Sequence, residues 1–179
     1  MSSIVFDAIA LIHFSRAGRL KELQVSSTED EAILLAHVSK ELEQGGPLLP
    51  NLDPATVAWL KPADITEMTE LAAFASYRTE LGGPAERNNG EAAVLAWISV
   101  NGGTAILDEE VARNIGQDDG LAVHGSLWLI ARSFNNGILD RATAEGTVSD
   151  LLTTGMRLPF KKGTDFIPWG QSVNLIPHS

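Results

Sequence analysis

Short runs of purely apolar residues alternate along this chain with longer stretches whose apolar positions recur every three or four residues. The first run, residues 3–6, predicts a short buried strand that stops at Asp7. Ile9, Ile12, His13, Leu20 and Leu23 then follow at helical spacing, and Gly18 leaves one helix or two short ones equally open. Residues 31–45 carry two readings. Ile33-Leu34-Leu35 fits a buried strand leading into a helix from Val38 to Gln44, whereas Thr28 and Glu31 as a capping box would make the whole stretch helical. Gly45-Gly46-Pro47 ends the element in either case. Prolines at 47, 50, 54 and 62 mark residues 48–64 as irregular connection, with Leu52, Val57, Trp59 and Leu60 forming a short strand or anchoring it to the core.

Further along, Ile65, Met68, Leu71, Ala72 and Ala75 mark an amphipathic helix up to Leu81, stopped by Gly82-Gly83-Pro84. Residues 91–100 are apolar almost all round, which predicts a buried helix. Gly102-Gly103 turns into a buried strand over 104–107 that ends at Asp108. A helix over 109–115, a strand over 121–124 and a helix over 125–135 come next, then a helix over 142–154. Beyond Pro159, the residues Phe160, Phe166, Ile167 and Trp169 are too many apolar groups for a free end, so the tail should dock. Strands alternating with helices predict an α/β fold, with a mainly parallel sheet covered on both faces. Without internal repeats or a linker, the expected organisation is one domain over 1–157 with residues 158–179 docked on it.

Composition narrows the chemistry. At 179 residues, 44% hydrophobic and 20% charged, the chain is an ordinary globular one with enough length for a real core. It has no cysteine, which excludes disulfides, thiolate metal sites and cysteine nucleophiles. Asp7 directly follows the apolar opening and no basic residue precedes it, unlike a secretory signal. No apolar run approaches the ~18–20 residues that span a bilayer, so the expectation is a cytoplasmic protein without membrane contact. The net charge of −10 opposes simple nucleic-acid binding, in which phosphate neutralisation supplies most of the affinity. It leaves room for an enzyme that meets phosphates through divalent cations.

Ligands of open α/β sheets bind beyond the carboxyl ends of the strands, where strand order reverses. Asp7 and Asp108 stand at two such predicted ends, Glu91 opens the buried helix after Asn88-Asn89-Gly90, and Glu41 lies on the helix after the second run. Gathered carboxylates must take up protons or hold a cation, and oxygen ligands suit Mg2+ or Mn2+. Each acid also has an ordinary explanation. Asp7 and Asp108 are good helix N-caps, Glu91 suits a helix N-terminus, and Glu41 could be a solvated helix carboxylate like Glu22 or Glu43.

Several segments, taken in order, resemble a PIN domain. Residues 4–23 (IVFDAIALIHFSRAGRLKEL) are similar to its opening strand, aspartate and Gly-Arg-Leu turn, and HVSKELEQ at 37–44 resembles its second acidic segment. Residues 87–115 (RNNGEAAVLAWISVNGGTAILDEEVARNI) resemble a Gly-Glu-Ala subgroup in which a glutamate replaces the third aspartate. The likeness continues through LAVHGSLWLIARSFNNGIL at 121–139 and thins over 46–86 and beyond about 157.

The resemblance implies a PIN-like sandwich with a central, mainly parallel sheet flanked by helices. It implies Mg2+- or Mn2+-dependent endoribonuclease activity, with Asp7, Glu41, Glu91 and Asp108 as metal ligands or water activators. Many members are toxins of the VapC type, which implies an RNA substrate, an antitoxin partner that would sit in an apolar groove near the 65–81 helix, and homodimerisation. Two departures stand out: glutamate at 91 reaches one methylene further, and the charge of −10 leaves little basic surface for RNA. A non-catalytic PIN-like binding or regulatory module is therefore the alternative expectation.

Other chemistry is weaker. His13, His37 and His124 lack a metal-ligand spacing, and Ser126 after His124-Gly125 lies in no Gly-x-Ser-x-Gly turn. Arg16 and Arg113 follow proposed acids closely enough to line one cleft, where they would contact phosphate or neutralise carboxylates. The glycine pairs read as turns, and Trp59, Trp97 and Trp128 as core packing.

Overall fold

In the computed structural model, which describes residues 2–45, 52, 56–84 and 87–178, five parallel strands form one sheet in the order β3-β2-β1-β4-β5. β1 (Ser2–Phe6) is central, with Ile4, Val5 and Phe6 fully buried, as expected of a strand covered on both faces. It pairs with β2 (Asp30–Leu35) on one side, Val5 opposite Ile33. On its other side it pairs with β4 (Thr104–Ile106), Phe6 opposite Ile106. β3 (Lys61–Ala63) and β5 (Val123–His124) are the two edges. The chain builds outward from β1 to β3, then returns to the far side of β1, so strand order reverses between β1 and β4. The crevice at their carboxyl ends is where such a fold places ligands.

Both open readings resolve. Gly18, at φ +68°, separates α1 (Ala8–Arg16) from α2 (Leu20–Ser26), giving two helices. The 31–45 region is strand then helix, β2 followed by α3 (Ala36–Gly45), and the apolar Ile33-Leu34-Leu35 run goes into the sheet. The Gly46-Pro47 stop and the prolines at 50 and 54 lie outside the described residues. The short strand of that connection is Lys61–Ala63 rather than the 52–60 anchors; Pro62 is tolerated there because β3 is an edge. Leu60 is buried, and Val57 and Trp59 pack against the core.

α4 (Met68–Leu81) is amphipathic in the opposite sense to the predicted one. Met68, Leu71, Ala72 and Ala75 are exposed, Met68 to 80%. Glu70 and Tyr77 are buried, and Ala73, Phe74 and Leu81 pack against the core. The sequence holds two stripes at helical spacing. The inward one is set by Glu70, whose carboxylate accepts the Thr66 and Glu67 N–H groups (2.9 and 3.0 Å) and an Asn101 amide hydrogen (2.8 Å).

α5 (Asn89–Asn101) has Gly90–Ala96 buried throughout, as a sequence apolar almost all round predicts. Its exit turn depends on Gly103 at φ +103°, where a Cβ would lie 2.7 Å from the Ser3 carbonyl oxygen. α6 (Glu110–Asp118), α7 (Ser126–Asn135) and α8 (Arg141–Thr153) follow within a few residues of the predicted bounds. The tail docks through a 3-10 turn (Gly163–Asp165) and α9 (Phe166–Ser172), burying Phe160, Phe166 and Ile167. Among the described residues, no helix is long and apolar enough to cross a membrane.

Candidate metal centre

Asp7 is the first residue past β1 and the N-cap of α1, so the same side chain ends a strand, starts a helix and stands at the reversal point. Its backbone N–H donates to the Ile106 carbonyl (3.1 Å), tying the end of β1 to that of β4. Its carboxylate accepts the Ile9 N–H through Oδ2 at 3.3 Å. Oδ1 is buried without a hydrogen-bond partner among the described residues. An orphaned buried oxygen is costly unless a bound ion or water satisfies it.

Glu41 reaches the same place from α3, and Glu91 from the first turn of α5. One carboxylate oxygen from each of Asp7, Glu41 and Glu91 lies within 4.8 Å of the other two. Gly90 makes the approach of Glu41 feasible. Its N–H donates to Glu41 Oε1 (2.8 Å), and a Cβ at position 90 would lie 2.9 Å from Oε2 and 3.0 Å from Oε1. The glycine of Gly90-Glu91-Ala92 is thus the seat of a carboxylate.

Metal-free, these acids oppose one another. Burial raises the Asp7 pKa well above the ordinary carboxylate value, and the charges of Glu91 and Glu41 push it further. Glu91 is raised too, first by burial and then by Glu41 and Glu109, with Arg87 opposing. Three clustered carboxylates, with an orphaned oxygen on Asp7, fit a hard divalent cation such as Mg2+ or Mn2+.

Asp108 does not join this trio. Its Oδ1 accepts the Ser126 N–H (2.7 Å) and its Oδ2 accepts the Ser126 hydroxyl (2.6 Å). Burial still raises its pKa, while Ser126, His13 and Arg113 work against the rise. It is not the cap of α6, because Glu109 is, accepting the Ala112 N–H (2.8 Å). Arg113 donates to the Leu107 and Asp108 carbonyls (3.1 and 3.2 Å) beside it, and Arg16 is exposed on the last turn of α1. Asp108, Arg113, His13 and His124 share a cavity of about 500 Å3 at the ends of β4 and β5.

Sequence reasoning missed the parts played by Gly90 and Ser126. The His124-Gly125-Ser126 segment drew attention only as a poor nucleophile turn, and its serine is the clamp on Asp108. The signal was its place at a strand end, the same signal that marked Asp7.

A five-stranded parallel sheet with an acid cluster at its reversal point is consistent with a PIN-like α/β fold. A family model described as a PIN domain, DUF3368, matches residues 3–167, and the chain belongs to that family. No curated protein and no solved structure gives a significant match. PIN domains are typically divalent-metal-dependent nucleases, and the acid cluster here could hold such an ion.

Proposed function

We propose that this protein is a divalent-metal-dependent endoribonuclease of the Gly-Glu-Ala kind, acting as the toxin of a toxin–antitoxin pair. The observation that carries the reading is the convergence of Asp7, Glu41 and Glu91 within 4.8 Å at the sheet's reversal point, with Asp7 Oδ1 buried and unpartnered. In it Asp7, Glu41 and Glu91 hold Mg2+ or Mn2+. When bound, the ion would polarise the scissile phosphate and lower the pKa of a water. Glu41 is oriented by the Gly90 N–H. Asp108, fixed by Ser126, is assigned an outer place, where it would orient the incoming water. Arg113, held by two carbonyls, and Arg16 are assigned to substrate phosphates. An antitoxin and a second copy of the chain are the protein partners of this reading, and the exposed Met68 and Leu71 of α4 are the surface we assign to them.

The test is cleavage of labelled structured RNA by purified protein with Mn2+, against EDTA and against Asp7→Asn and Asp108→Asn. Metal-dependent cutting that disappears in both variants is expected; cutting untouched by either substitution would sink the role assignment. The net charge of −10 favours one rival, a non-catalytic PIN-like module. Calorimetry separates them, since absence of Mn2+ binding at low salt would favour the module.

A further inference from the structure

The cavity beside Asp108 has features that the acid cluster does not use. It is lined by Ile9 and His13 of α1, Arg113 of α6, His124 at the end of β5, and Arg157 and Trp169 from the chain's last stretch. Its volume of about 500 Å3 falls in the usual range for small-ligand sites. The tail is a wall of this cavity, with Met156, Pro159 and Leu175 also facing it. Its docking therefore encloses a space as well as completing the core.

The lining combines aromatic surface with concentrated positive charge. The His124 ring stacks on Trp128 (centroids 3.9 Å apart, 6° between planes), and Trp169 is braced by Phe160 at 5.5 Å. Arg113 is fixed by the carbonyls of Leu107 and Asp108, and exposed Arg157 has no ion-pair partner among the described residues. Asp108 is the cavity's sole carboxylate among the described residues, and Ser126 holds both its oxygens. In a chain of net charge −10, this is a local basic site. His13 adds a directed hydrogen-bonding group. Thr154 Oγ1 donates to the Leu151 carbonyl (2.6 Å), so the 2.6 Å bond between Thr154 Oγ1 and His13 Nδ1 takes its proton from the imidazole. A neutral His13 then keeps Nε2 as an acceptor.

We propose that this cavity is a nucleotide subsite: it takes one base of an RNA strand against the His124 and Trp169 rings, with His13 Nε2 accepting from the base edge. Arg113 and Arg157 hold that nucleotide's phosphate. Aromatic rings suit the faces of a base and guanidinium groups suit phosphate, and neither needs the cation. The Asp7 N–H to Ile106 carbonyl bond joins the strand ends that bear the two sites, so a strand lying over the reversal point would meet both. The RNA identity of the strand rests on the proposed nuclease reading; the nucleotide chemistry of the cavity does not.

The experiment is titration of the full-length protein, in EDTA, with each of the four ribonucleoside 5′-monophosphates. It is read by calorimetry and by amide chemical-shift changes, with inorganic phosphate and the free nucleosides as parallel arms. Binding of at least one nucleotide on the order of 0.1–1 mM is expected. Phosphate and nucleoside alone should bind at least tenfold more weakly, and Arg157→Ala should weaken the nucleotide about tenfold. Arg157 is exposed, so the variant should fold, and its Mn2+ titration should match the parent's. No binding of any nucleotide, phosphate binding as tightly as nucleotide, or unchanged affinity in Arg157→Glu would each overturn the subsite. Mn2+ binding without nucleotide binding overturns the subsite and leaves the metal centre standing. Nucleotide binding without Mn2+ binding supports the subsite and removes the nuclease reading.

Discussion

Asp7→Asn should stabilise the protein in EDTA and destabilise it, relative to the parent, in Mn2+. Asparagine is as good an N-cap as aspartate, so the bond from the Ile9 N–H survives the change. What disappears is a buried negative charge within 4.8 Å of two other carboxylates. At that separation and an effective dielectric of 20, each unit-charge pair repels by about 3 kcal/mol. Solvent at half-buried Glu41 and proton uptake by the buried acids reduce the net relief to about 1–2 kcal/mol. For a chain of this length that is a rise of roughly 2–8 °C in Tm. With Mn2+ at 100 times its Kd, the parent gains about 2.7 kcal/mol from binding, and the variant forfeits most of it. The assay is thermal unfolding followed by circular dichroism, with both proteins in EDTA and across a Mn2+ series. The Tm order should invert between the two ends. A lower Tm for the variant in EDTA would show that the charge is structurally favourable. An equal Mn2+ response in both would remove Asp7 from the metal centre.

The same cluster fixes the sign of a pH effect: Asp7 and Glu91 have raised folded values, so their contribution to metal-free stability is full below the unfolded carboxylate value near 4. It is lost as pH rises through their folded values, so urea unfolding from pH 4 to 8 should show the parent losing stability relative to Asp7→Asn; a flat difference would contradict this. Gly90→Ala should still fold, at a loss of about 1–3 kcal/mol, because the displaced group is a side-chain carboxylate and not backbone. Its Mn2+ affinity by calorimetry should fall tenfold or more, and parental affinity would show that Glu41 is no ligand. Ser126→Ala removes one of the two hydrogen bonds that hold half-buried Asp108 and should cost about 1–2 kcal/mol in urea unfolding, with Mn2+ binding retained; loss of Mn2+ binding would join Asp108 to the trio.

Most of the architecture was legible because burial on both faces of a parallel sheet leaves a simple signature. Ile4-Val5-Phe6 and Ile33-Leu34-Leu35 are short apolar runs, and both are strands. The 91–100 stretch, apolar almost all round, lies within the largely buried α5. Periodicity failed where two stripes competed. Nothing in the pattern of α4 shows that Glu70 turns inward, because its partners come from the helix's own N-terminus and from Asn101, thirty-one positions away. A polar residue satisfied by hydrogen bonds outranked four apolar ones that found no surface to cover.

The metal centre was legible to a similar degree. Position in the chain marked Asp7, Glu91 and Asp108, because strand ends and helix starts are one-dimensional features, while Glu41, in the middle of α3, was marked by the resemblance of its segment to the second acidic segment of PIN domains. Their convergence depends on distances between elements that a one-dimensional reading lacks, and there the four acids divide. Asp7, Glu41 and Glu91 meet, while Asp108 turns to Ser126. The division follows from the topology: β1 lies between β2 and β4, so acids carried by α3 and α5 can reach its end, while the β5–α7 turn offers Ser126 to the acid past β4. A centre assembled this way would have its proposed cation ligands on elements gathered around β1 and its proposed outer acid on the side of the cavity. Substitutions on the β2 side should therefore act first on metal affinity, and those on the β5 side first on what the protein holds next to the metal.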